Sequence, residues 1–151
     1  MTPAAVAFGI CVAAAALEAL LAGGNARARL AELRQPRWAA PGWAWAVIGV
    51  AYYAICGFAL WRILQSPAPG RNLALGALVA VMALNCAWNY IFFRRRDLRL
   101  AFLYYVAYLP LVGFALWSAA RVDAPAAWAL SAYAAYLPYA IALGYRWWRP
   151  A

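Results

Sequence analysis

Apolar residues in this chain do not alternate with polar ones; they come in long runs. Five stretches, 3–22, 43–64, 72–93, 99–120 and 125–147, are nearly free of charge. About 20 apolar residues wound as a helix cross the ~30 Å hydrocarbon layer of a bilayer. A helix also satisfies its own backbone polar groups, which lipid cannot do. The pattern therefore predicts an all-α integral membrane bundle of five transmembrane helices, a single domain over residues 1–151. The breaks carry helix-ending chemistry. Gly23-Gly24 closes the first run, and QSPAPGR (65–71) separates the second from the third with two prolines and a glycine. RRRDLR (94–99) and RVDAP (121–125) divide the rest, and the one long connection is 23–42.

Composition supports the same class. Hydrophobic types make up 70% and charged types 11%, against roughly 45–50% and about 25% in soluble domains. Every basic residue is arginine, and neither lysine nor histidine occurs. This excludes histidine catalysis, imidazole metal sites and axial histidine to haem. Cys11, Cys56 and Cys86 lie inside apolar runs without metal-ligand spacing, as small hydrophobes. No basic segment precedes the first run, so it reads as a span and not as a cleaved signal peptide.

The net charge of +9 is sorted by side. Arg27, Arg29, Arg34 and Arg37 in the first loop share a face with Arg94, Arg95, Arg96, Arg99, Arg146 and Arg149; only Arg62, Arg71 and Arg121 lie opposite. The positive-inside rule then places the N-terminus outside and the C-terminus in the cytoplasm of a cell-membrane protein. Charge that sets topology against lipid headgroups calls for no nucleic acid partner. Trp43, Trp45, Trp147 and Trp148, near span ends, suit anchoring at the membrane interface.

Asn85, Trp88, Asn89 and Phe92 follow one another at i, i+3, i+4 and i+7, on one helix face. A carboxamide facing lipid loses its hydrogen bonds to water and gains none, so this face looks inward. Two readings stay open: interhelical adhesion, at roughly 0.6 kcal/mol per hydrogen bond, or a pocket with Trp88 as its wall. YVAYLP (105–110) and YAAYLP (133–138) are near copies, each with a mid-span proline. Pro110 and Pro138 free the carbonyls of Val106 and Ala134, and tyrosines beside such bends suit a cavity for a flat apolar ligand. Glu18 is the only acid within a span; near the end of its helix it can snorkel or pair with a loop arginine. With no other ionisable group at depth, ion-coupled pumping is disfavoured. No nucleophile–base pair or phosphate loop occurs.

LRQPRWAAPGWAW (33–45), Tyr53 and Gly57, ALNCAWNYIFF (83–93) and LPY (137–139) together resemble the TspO/MBR family, the tryptophan-rich sensory proteins and peripheral-type benzodiazepine receptors. The resemblance covers most of the chain. It implies a five-helix bundle, often a dimer, with a pocket beneath the first loop that takes porphyrin or haem and, in some members, sterols or synthetic aromatic ligands. Matched by motif, the implied pocket residues are Trp38, Trp45, Asn85, Trp88 and Tyr139, with Asn89 of second rank. Arg34 and Arg37, just before the aromatic rim, are candidates to contact porphyrin propionates, since arginine pairs with carboxylates bidentately. No cofactor is required.

The chain also departs from the family pattern. Ala40 replaces a proline, Gly49 and Ala142 stand where the family has tryptophans, and the usual asparagine ending the fifth span is missing. The two tryptophans are tied in some members to light-dependent porphyrin breakdown, so their loss disfavours that enzymatic reading and enlarges the cavity. A loose sterol pattern fits both Leu143, Tyr145 and Arg149 and Leu84, Tyr90 and Arg94, and is too permissive to weigh. Gly76/Ala80 and Ala83/Ala87 offer a small-residue edge for a homodimer. The expected function is a non-catalytic membrane receptor for tetrapyrroles or similar apolar ligands; the alternative is a transporter of them.

Overall fold

The computed structural model describes residues 1–149. Six helices follow one another without a strand among the described residues: α1 Pro3–Ala22, α2 Ala26–Glu32, α3 Gly42–Gln65, α4 Arg71–Asn89, α5 Leu98–Val122 and α6 Ala124–Trp148. All but α2 are long and apolar enough to cross a membrane, α4 counting together with the turn that continues it to Arg95. The chain is thus an integral membrane protein of the expected helical class, and each observed span lies within two residues of its expected ends. The addition is α2 inside the first loop, seven residues long. No run of its length could be recognised as a separate element, and Leu30 holds it by packing on the core beneath.

Helix ends follow local chemistry. The Thr2 hydroxyl accepts the Ala5 N–H at 3.3 Å and Pro3 opens α1. Asp97 caps α5 by accepting the Leu100 N–H at 2.8 Å, and Asp123 caps α6 through Ala126 at 2.9 Å. Each satisfies a donor that the first turn would leave unpaired. Pro110 and Pro138 sit inside continuous helices.

The spans form a ring in which α1 packs on α3, α3 on α6, α6 on α5, α5 on α4 and α4 again on α1. Leu60 and Ile63 of α3, Leu78 and Met82 of α4, and Leu137 of α6 fill the core. A polar stitch crosses it. The Tyr108 hydroxyl lies 3.2 Å from the Val81 carbonyl, to which it donates, and 3.0 Å from the Tyr133 hydroxyl. Having given its only proton to Val81, Tyr108 accepts that of Tyr133, so α4, α5 and α6 are joined in one chain of hydrogen bonds.

At the end of the bundle away from α2, Arg62 grips Asp123 bidentately at 2.8 and 3.2 Å, and Ser66 donates to the Val122 carbonyl at 3.0 Å. The outer surface carries exposed Phe8, Val12, Leu20, Val50, Trp117 and Trp128. On a soluble protein such a belt would be a large apolar patch; here it is the face that meets lipid acyl chains.

Beyond Asn89, α4 widens into a π-helical turn, Tyr90–Arg95, ended by Arg96 in the left-handed region at φ 57°. Wide turns of this kind are uncommon and recur at functional sites. Phe92 and Phe93, successive residues that regular α-helical spacing would point about 100° apart, both reach the interior cavity described next.

Candidate functional site

A cavity of about 500 Å³ lies in the half of the bundle nearer α2. That is within the ~300–1,000 Å³ typical of small-molecule sites. Ala26 and Leu30 of α2 contribute to its roof; Ala15, Glu18 and Ala19 of α1 form one wall, and Trp45, Gly49, Tyr52 and Tyr53 of α3 another. Asn85, Trp88, Asn89, Phe92 and Phe93 enter from α4 and its continuation, Tyr105 from α5, and Tyr133, Tyr136 and Trp147 from α6. The inward stripe of span three lines the cavity along its whole length.

Aromatic packing builds the deep wall. Trp88 stacks on Phe92 with centroids 4.7 Å apart and planes 16° from parallel, and its other neighbour Tyr105 lies at 4.7 Å. Trp147 packs on Phe92 at 5.2 Å and Trp45 on Trp147 at 6.0 Å. Offset and tilted pairs at these separations each add about 0.5–1.5 kcal/mol beyond burial. The wall is also pinned: the Trp88 indole N–H donates to the Ala101 carbonyl of α5 at 3.1 Å. Its ring face is therefore fixed before any ligand arrives.

The polar side is small and specific. Glu18 Oε2 accepts the Tyr53 hydroxyl at 2.6 Å and the Asn85 amide at 3.2 Å. Three helices, α1, α3 and α4, meet at that oxygen. The Asn89 amide donates back to the Asn85 carbonyl at 3.0 Å, within its own helix. Asn85 is thus both an interhelical tie and a cavity residue, so the two readings of the stripe coexist. Beyond that bond, the Asn89 amide also faces Glu18 of α1, at longer range than Asn85 does.

Glu18 departs from its expected role. It neither snorkels outward nor meets a loop arginine; α1 rotates it toward α3 and α4, where two donors compensate the loss of water that lipid exposure would impose. Trp147 also differs, lying buried against Phe92 and Trp45 and not at an interface. Trp43, by contrast, is exposed, as an anchor would be.

Two motif residues lie elsewhere. Trp38 and Tyr139 are not among the cavity-lining residues; they pack edge to face at 5.8 Å, and the Tyr139 hydroxyl accepts the Ala40 N–H at 2.7 Å. Together they fasten the first loop to α6. Arg34 and Arg37 stand exposed on that loop, outside the lining. Glu18, Phe93 and Tyr52 line the cavity without having been singled out as pocket residues. A lone acid in an apolar run was the available signal for the first and the ALNCAWNYIFF block for the second; none existed for Tyr52.

Among the described residues, no group of metal-binding side chains occurs. Comparison with known proteins agrees with the geometry. The TspO/MBR family profile matches residues 7–149. The chain is 30% identical over 122 residues to the translocator protein of Ovis aries, covering 79% of this chain and 72% of that protein, and the translocator protein of Bos taurus gives the same figures. With its five-span ring, its inward Asn85–Trp88 stripe and a match running almost end to end, the chain belongs to the TspO/MBR family.

Proposed function

We propose that this protein is a non-catalytic membrane receptor that binds a flat, largely apolar ligand of the tetrapyrrole kind, porphyrin or haem, in the aromatic cavity. The observation that carries the reading is the pinned Trp88–Phe92–Tyr105 wall facing a volume of about 500 Å³. Such a wall offers a ring a large apolar face at little entropic cost, because its own side chains are already ordered. Propionates of a seated porphyrin would lie at the loop end, within the charge of Arg34 and Arg37.

Gly49 weakens the enzymatic alternative. It borders the cavity, and a Cβ placed there would meet nothing within 4 Å. The tryptophan that the family carries at this position is replaced by open space. The relatives' name, translocator protein, supports a second reading, passage of the ligand across or out of the membrane. By the positive-inside rule the α2 end faces the cytoplasm.

The test is titration of the nanodisc-held protein with protoporphyrin IX, following tryptophan quenching. Saturable binding weakened at least tenfold by Trp88→Phe and by Asn85→Ala supports the receptor reading. Arg37→Ala should weaken it at low salt, and unchanged affinity there removes the propionate contact. Absence of saturable binding by folded protein overturns the reading. Flux into proteoliposomes distinguishes transport.

A further inference from the structure

The charge inside the cavity points to the chemical class of the occupant. Glu18 is the only carboxylate in the lining, and no arginine borders it among the described residues. The hydrogen bonds from Tyr53 and Asn85 both fall on Oε2. The Asn89 amide also stands close enough to act on the carboxylate, and no hydrogen bond of ordinary length falls on Oε1 among the described residues. A carboxylate accepts at about four lone-pair sites; Tyr53 and Asn85 take two, the Asn89 amide lies near a third, and the remainder is open to the cavity. The surroundings are aromatic and alanine-rich, a setting in which a donor to that oxygen is worth more than it is in water.

Resting on the ligand-binding reading above, we propose that the cavity selects aromatic ligands bearing a protonated amine or another N–H donor, seated on Oε1 of Glu18. The ring lies against Trp88 and the nitrogen reaches toward α1. Tyr53 and Asn85 are positioning residues: they occupy Oε2 and fix the carboxylate's rotation. A ligand carboxylate at this depth would meet a like charge and no cation, so acids are admitted only where their charge stays at the loop end. An acidic porphyrin therefore has one permitted orientation, propionates outward.

Three pyrene probes with the same ring separate the possibilities: 1-pyrenemethylamine, 1-pyrenemethanol and 1-pyrenecarboxylate. Each is titrated into protein in zwitterionic-lipid nanodiscs, with empty nanodiscs as the baseline for partitioning. The amine is expected to bind at least tenfold more tightly than the carboxylate. Glu18→Gln should reduce that ratio to within about threefold. Equal binding of amine and carboxylate by the unaltered protein overturns the selection, and so does a preference that survives Glu18→Gln. The comparison in unaltered protein stands even if the variant fails to fold. Saturable binding of the alcohol without amine preference defeats this inference alone. No saturable binding of any probe or of protoporphyrin defeats the receptor reading with it.

Discussion

The hydroxyl of Tyr139, well along α6, accepts the backbone N–H of Ala40 at 2.7 Å across 99 residues of sequence. Trp38 covers the same ring edge to face. The loop, which α2, Leu33 and Ala39 also hold by packing on the core, is thus tied near its far end to the bundle by a hydrogen bond, next to the roof of the cavity.

Removing that acceptor tests whether the tie restrains the roof. Tyr139→Phe keeps the ring and the Trp38 contact and loses one hydrogen bond, worth about 1 kcal/mol. The Ala40 amide should exchange with solvent roughly fivefold faster, as expected for a loss of that size. Bound ligand should also leave faster, with little change in thermal midpoint. Unaltered exchange at Ala40 would show that the loop is held without Tyr139.

Gly49 gives a second test. Gly49→Trp places an indole where an added Cβ meets open space, so the fold should survive with a thermal midpoint within a few degrees of the original. Protoporphyrin affinity should fall several-fold as the volume is filled. Illumination of porphyrin bound to the unaltered protein should leave its absorption band intact; steady bleaching dependent on the protein would instead establish degradation.

The Arg62–Asp123 clasp predicts an acid limit to stability. Burial alone would push the Asp123 carboxyl up, but hydrogen bonds from Arg62 and from the Ala126 amide, with the attraction of the guanidinium, outweigh it and hold its pKa below the ordinary carboxylate value. A depressed folded-state pKa contributes stability that is present above the unfolded value, about 3.9, and is lost as pH falls through the lower folded value. Asp123→Asn should lower the denaturation midpoint at pH 7 and flatten its decline below about pH 4. An identical pH profile in variant and parent would remove the clasp from the stability account.

How much of this was written in the chain can be judged residue by residue. The spans were legible because the bilayer imposes a length, and Gly23-Gly24 and the 65–71 break mark ends by chemistry that needs no tertiary contact. The face shared by Asn85, Trp88 and Phe92 was legible from helical spacing, as was its inward direction. The partner of Asn85 was not, because which helix stands opposite depends on the ring order of α1, α3 and α4. Trp147 was misleading for a related reason: an aromatic at a span end anchors to headgroups unless a neighbour covers it, and here Phe92 and Trp45 do. The widened turn at 90–95 left no mark in composition, so the joint entry of Phe92 and Phe93 into the cavity could not be foreseen.

The seat of α1 has a consequence for biosynthesis. This helix precedes the other four spans in the chain and is the most apolar of the five, with mean hydropathy 2.2, yet it packs on α3, α4 and the turn beyond α4. Its groove does not exist until the third span has been made. Until α3 is inserted, α1 must persist as a lone helix in lipid, stable by hydropathy alone; α3 then brings Tyr53 to Glu18, while Asn85 is still to come. Arrival of α4 completes the carboxylate's hydrogen bonds, so docking of the first helix reports that the first three spans have been inserted in register.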